Sequence, residues 1–470
     1  MELKTLFKDT ADAIREKDGT TEPILARDFP ARIQAIQGGG GGVTMERIEI
    51  KAPPDKVRYK IGESFDPTGM SVWASFSNGY GLYVNLSDLT FGPAGPLDEG
   101  TEAVTVRFRW GGETASATQT INVSRIQIYG VEWDGTSTTK WTRTDDAAGF
   151  ADPNPAVKNG DGSSPFDGLQ PWAGMVKVED SEAGMLVAIP KFWYKWTKNG
   201  NSLKLQIADG QTDGFNVSPA HADRGDGKGE RDVVYVGRYH CASGFKSATG
   251  AAQQVSISRS TARNNIHKLG ATIWQLDYAM RVTIQMLYLV EFADWNSQAK
   301  IGYGGSSARS KVNNGQTDAM QYHTGTTAKN RTTYGFTQYR NIEGLWDNVY
   351  NWMDGCYYDS NGMNIIMNPN NFSDASGGTL IGKPSNGSPS AIAVSTVSGL
   401  EWAIYPTAAD GSDSTHISDD WGFSVSSPCL ICGGDDSQVQ SRGLFFVSYK
   451  SASNTGANIG CRLMKLPDAA

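Results

Sequence analysis

The sequence predicts a multidomain, strand-rich chain with a short N-terminal helical segment, an all-β module and a larger C-terminal domain of α+β class. Three observations predict it. Gly38 to Gly42 is an unbroken glycine run, and glycine loses the most entropy on ordering, so the run is a flexible linker and a domain boundary. Residues 43–124 alternate apolar and polar side chains in short runs, the period of half-buried strands. Residues 125–470 hold one long helix-compatible stretch among glycine-punctuated strands and loops. They show no repeat at the roughly 20–50 residues of a solenoid or propeller.

Composition narrows the function classes. A chain of 470 residues exceeds one ordinary core, so roughly two to four domains are expected. Net charge is −8 and no basic block interrupts it, which argues against a nucleic-acid partner. Glycine is frequent at 54 residues and aromatics reach 10%, a mix suited to short strands, long loops and Trp/Tyr-rich contact surfaces rather than to a helical enzyme. Met1-Glu2-Leu3-Lys4 runs directly into a charged amphipathic stretch, so no secretory signal is expected. No apolar run approaches the roughly 20 residues of a membrane helix. The expectation is a soluble protein made in the cytoplasm. Cys241, Cys356, Cys429, Cys432 and Cys461 form no even, closely spaced framework, so disulfides are not required.

In residues 1–37, Leu3, Leu6, Phe7 and Ile14 fall on one helical face and Gly19 ends the helix. Asp28 as N-cap, with Pro30 just inside, starts a second short helix through Ile33 and Ile36. Two helices of this size bury no core alone, so they need copies of themselves or a partner. Ala11-Asp12-Ala13-Ile14-Arg15, Thr21-Glu22-Pro23-Ile24 and Asp28-Phe29-Pro30 together resemble a segment common at the N-terminus of phage tail proteins. That resemblance implies an attachment or oligomerisation end.

Beyond the linker, Ile48/Ile50, Val57/Tyr59, Val72/Ala74/Phe76 and Val104/Val106/Phe108 alternate, and Asn78-Gly79 marks a tight turn. Lys60-Ile61-Gly62-Glu63-Ser64-Phe65-Asp66-Pro67-Thr68-Gly69-Met70, followed by Ser77-Asn78-Gly79, resembles a bacterial immunoglobulin-like domain. The resemblance implies a β-sandwich spacer over 43–124. It holds no cysteine, so packing alone must close it.

In residues 125–470, Thr272 to Trp295 reads as a long helix apolar on more than one face, hence a core helix. A shorter helix is expected near Ser258 to Ile266. The last forty residues run from Gly433-Gly434-Asp435-Asp436 through Gly443-Leu444-Phe445-Phe446 to Asn458-Ile459-Gly460-Cys461-Arg462-Leu463. Fixed ends around a loosely specified middle describe a recognition surface on a rigid frame. With Asn341-Ile342-Glu343-Gly344-Leu345-Trp346-Asp347-Asn348-Val349-Tyr350-Asn351-Trp352-Met353-Asp354-Gly355, these anchors resemble the C-type-lectin-like domain of phage and prophage tail receptor-binding proteins. That is the kind diversified by retroelements, and it shares a core segment with formylglycine-generating enzymes. Asp347 stands where that segment has glycine and Asn351 where it has glutamate.

The resemblance implies a homotrimeric adhesin at a phage tail tip, recognising a bacterial surface glycan or protein, with no catalysis, cofactor or metal. The ligand contacts carried over from it are Asp435, Asp436, Gln438, Gln440, Phe446, Ser448, Lys450, Ser453, Asn454 and Thr455. Asp, Ser, Thr and Phe are reachable from mutagenised asparagine codons; Gln438, Gln440 and Lys450 are not. Trp346 and Trp352 are expected to fill the core, and Arg462 to pair with a buried carboxylate or backbone carbonyls. Cys429 and Cys432 are three apart on an expected strand and should face opposite ways, against a metal or redox half-site. His221, His240, His267, His323 and His416 sit in no catalytic motif. Asp410, Asp413, Asp419 and Asp420 read as a solvated acidic loop before a calcium site, because the calcium-lectin tripeptides are missing. A polysaccharide-degrading tail enzyme and a structural baseplate component stay open as alternatives.

Overall fold

A computed structural model describes residues 3–18, 21, 23–26, 29, 43–305, 311–328, 335–435 and 441–468. The chain is mostly β-sheet with few helices, and it divides into two compact units, Met1–Ile126 and Gln127–Ala470. Among the described residues no helix is long and apolar enough to cross a membrane.

The first unit opens with helix α1, Leu3–Asp18. Ala11 and Ile14 bury against Phe29, while Leu6 and Phe7 stay exposed, so part of the apolar face lacks cover among the described residues. The second expected helix, from Asp28 through Pro30, Ile33 and Ile36, lies outside the described residues, as does the glycine run. The strands Met45–Ala52, Ser71–Phe76 and Gly81–Val84 form one antiparallel sheet, turned at Asn78-Gly79, where Gly79 has φ +79°. Leu89–Gly92, Ala103–Trp110 and Glu113–Thr120 form another. Alternation does what the pattern requires: Val72, Ala74, Phe76, Val104, Val106 and Phe108 are all buried. Ile48 and Tyr59 are buried too, but Val57 is exposed.

The second unit is built around helix α3, Tyr278–Phe292, every residue of which is buried. Asp277 caps it by accepting the Met280 amide at 2.8 Å, and Ala293 in the left-handed region (φ 49°) ends it. The expected helix from Thr272 to Trp295 is therefore too long at both ends. Ile273–Gln275 is a strand pairing with Leu463–Lys465, and the Asp277 cap separates it from the helix. Helix α2, Arg259–His267, starts at Ser258, whose side chain caps the Thr261 amide.

Two five-stranded sheets and a four-stranded sheet belong to this unit. One orders Lys177–Asp180, Gly184–Pro190, Val233–Gly237, Leu463–Lys465 and Ile273–Gln275. A second orders Thr142–Asp145, Ile128–Trp133, Ser202–Ala208, Trp193–Asn199 and Asn216–Val217. The third, which carries part of the C-terminal segment, orders Val447–Lys450, Cys429–Cys432, Tyr350–Trp352 and Ile459–Gly460. Cys432 joins the large core around α3, and Cys429 the smaller core beside α2, so the two thiols face opposite ways. All five cysteines are free and buried.

Candidate functional site

The Gly443–Phe446 turn is seated by four buried side chains. The Asp419 carboxylate accepts the amides of Gly443 at 2.7 Å and Phe445 at 2.8 Å. Ser297 Oγ accepts the Leu444 amide at 2.9 Å. The Leu444 carbonyl accepts from Arg281 Nη2 at 2.6 Å and Gln285 Nε2 at 2.9 Å, both on α3. A Cβ at Gly443 would sit 2.4 Å from Ser297 Oγ, so only glycine fits so close to the clamp. Burial pushes the Asp419 carboxyl up to about 7.

Asp435 ties the start of the segment to its end. Its carboxylate accepts from Arg442 Nη1 at 3.2 Å and from Asn458 Nδ2 at 2.8 Å. Arg442 also donates to the Tyr350 hydroxyl and lies over the Tyr350 and Phe446 rings, whose centroids are 5.9 Å apart. Burial, followed by the Asp435 charge, holds the Tyr350 phenol above its ordinary range. Arg462 closes the far end. Its guanidinium donates to the carbonyls of Gly237, Arg238, Glu343 and Gly344 at 2.7–3.0 Å, the backbone-carbonyl role expected of it. Trp346 and Trp352 are fully buried, donating their indole N–H groups to Gly302 and Ile257 carbonyls.

On this frame the ten expected contact residues separate. Asp436, Gln438 and Gln440 lie outside the described residues. Asp435 and Phe446 are corrections: at 4% and 7% exposure, one is consumed by Arg442 and Asn458 and the other packs into the smaller core. Both belong to the frame. Strand alternation sends Val447 and Tyr449 toward the large core, and cover thins from buried Phe446 to half-buried Ser448 and Lys450 on the other side. Ser453 and Thr455 are exposed. Asn454 Oδ1 accepts the Gly456 amide at 2.9 Å. Among the described residues, Ser448, Lys450, Ser453 and Thr455 make no side-chain hydrogen bond or ion pair.

Sequence reasoning passed over Arg442 and read Tyr350 and Asn458 only as parts of the anchors, not as partners in the Asp435 clamp. The acidic loop departs from expectation at two of its four carboxylates, while Asp410 and Asp413 are exposed as expected. Asp419 is buried in the turn clamp, and Asp420 accepts from Ser388 and Ser441 hydroxyls at 2.7 and 2.8 Å. Among the described residues no three His, Cys, Asp or Glu side chains group to hold a metal ion.

A separate charged cluster also went unread. Buried Glu291 pairs with Arg340, whose Nη1 lies 3.1 Å from Asp167 Oδ1, and His323 Nε2 sits 3.0 Å from the same oxygen. Burial and the neighbouring guanidinium hold His323 below the usual imidazole range. The hydroxyl at its other nitrogen belongs to Thr324, which is buried, out of reach of a substrate.

No family model matches the chain, and no curated protein matches it. Among solved structures, the Major Tropism Determinant M1 variant aligns over 88% of this chain and 100% of its own, at 10% identity and a TM-score of 0.24. A likeness at that score carries no weight for the fold or activity of this chain.

Proposed function

We propose that the chain is a phage tail receptor-binding protein that recognises a bacterial surface ligand without chemistry, through the segment from Ser448 to Thr455. One observation carries the reading: Ser448, Lys450, Ser453 and Thr455 leave their polar atoms unused on a backbone clamped at both ends. A clamped backbone loses little entropy when a ligand docks, and unused donors and acceptors are what a polar contact surface supplies. In the same reading, the strands of residues 43–124 form an immunoglobulin-like spacer and residues 125–470 a lectin-like head. The exposed Leu6 and Phe7 on α1 would meet further copies or the tail at the attachment end.

The test is adsorption of the labelled full-length protein to host cells. A Lys450→Ala/Ser453→Ala/Thr455→Ala variant should bind at least about tenfold more weakly, with an unchanged thermal transition. Wild-type adsorption by a folded triple variant would refute the proposal.

A further inference from the structure

The second unit carries an open groove of about 510 Å³, lined by residues that share nothing with the C-terminal segment. Its floor is the strand Trp193–Asn199, held against Ser202–Ala208 along its whole length. On one face of that strand, Tyr194, Trp196 and Lys198 follow at intervals of two and pass from buried through half-buried to exposed. Trp196 is backed by Trp141, with ring centroids 6.3 Å apart, so its ring is a fixed wall rather than a loose surface side chain. The opposite wall comes from the connection after Ala391–Val394, which supplies Ser395, Thr396 and Glu401.

The electrostatics of the groove are unbalanced. Lys195 and Lys198 line it with the carboxylate of Glu401; Lys198 shares the Trp196 face of the strand, whereas Lys195, one position out of phase, sets its Nζ 5.9 Å from the Phe215 ring. Among the described residues neither lysine makes an ion pair. Partial burial already holds the Lys198 ammonium below the usual lysine range, so an arriving anion would relieve an existing cost. The volume falls within the ~300–1,000 Å³ of small-ligand clefts. A flat aromatic wall, surrounding hydroxyl and amide groups and a lysine without an ion pair together fit a ring with an apolar face, a hydroxylated edge and a carboxylate.

We propose that this groove binds a short acidic saccharide, with a sugar ring against Trp196 and its carboxylate at Lys198. The site is independent of the reading given to the Ser448–Thr455 segment, and purified protein tests it without cells. Trigalacturonate, maltotriose and hexaglutamate are titrated separately into the full-length protein, with tryptophan fluorescence and calorimetry as readouts. Trigalacturonate should bind saturably, more tightly than the other two, and less tightly as salt rises. Lys198→Glu removes the cation from an exposed position without disturbing the core and should weaken trigalacturonate about tenfold or more. Glu401→Gln removes the competing carboxylate and should bind at least as tightly as wild type. Absence of saturable trigalacturonate binding, equal affinity for maltotriose, tighter binding of hexaglutamate, or an unaffected Lys198→Glu protein would each overturn the proposal.

Discussion

Asp347 and Asp419 are carboxyls that burial pushes up to about 7, while burial holds the His221 and His240 imidazoles down at about 4 and about 3. The two pairs pull stability in opposite directions over the same pH range. A carboxyl with a raised folded pKa binds more protons when native, so its contribution is full below the unfolded value and is lost as pH rises toward about 7. A histidine with a depressed folded pKa binds more protons when unfolded, so its contribution is present above about 6.5 and is lost as pH falls. Wild-type stability should therefore vary little from pH 5 to pH 7. Asp347→Asn keeps an oxygen for the Thr337 amide and hydroxyl, now 2.8 and 2.9 Å from the carboxylate, while removing one titration. In that variant the histidines are less opposed, and stability should fall by about 2 kcal/mol more than in wild type on going from pH 7 to pH 5. Urea unfolding at the two pH values measures this. Parallel profiles would show that Asp347 titrates normally.

Between elements, the frame depends on a few side chains that reach across long sequence distances. Arg462 is the clearest case, because four carbonyls from two separate segments converge on its guanidinium. Lysine retains the charge but not the fork, so Arg462→Lys leaves carbonyls unpaired and should cost about 2–4 kcal/mol in denaturant unfolding. A loss under about 1 kcal/mol would mean the fork is not needed. Asp435→Ala tests a different role: it releases Arg442 and Asn458 together. It should weaken cell adsorption about tenfold through a loosened segment while the unfolding midpoint falls only modestly. Retained adsorption would show that the clamp does not hold the binding surface.

Local pattern made the anchors legible: glycines 433 and 443, Asn458 to Leu463, the short helix near Ser258 to Ile266 and the apolar run of α3. Helix α3 was overextended because Thr272 to Gln275 is apolar enough to continue it, and only pairing with the strand Leu463–Lys465 makes those residues extended. The clamps were not legible, because Ser297 and Leu444 are 147 residues apart and no period links them. The same blindness placed Asp435 and Phe446 among ligand contacts: their types suit a binding surface, and only the fold shows that Arg442, Asn458 and Tyr350 already occupy them.

At the scale of the whole molecule, the hydrophobic clusters separate along the same boundary as the two compact units. Residues such as Val72, Val106 and Phe108 pack in one cluster of the first unit, and Tyr59, Leu97 and Val104 in another. The α3 core and the α2 core draw only on residues beyond Ile126. The chain forms two compact units, each with its own hydrophobic clusters among the described residues, so calorimetry of the full chain should resolve two transitions. A fragment of residues 127–470 should reproduce one of them at the same temperature. If the first unit brings copies together, that fragment should adsorb to cells far more weakly than the full chain, by roughly 10²–10⁴-fold for a multivalent surface, although it keeps the proposed binding segment. Adding the fragment's contacts back in multivalent form, for instance on a trimeric coiled coil, should restore adsorption. Equal adsorption by fragment and full chain would leave the N-terminal unit no part in avidity.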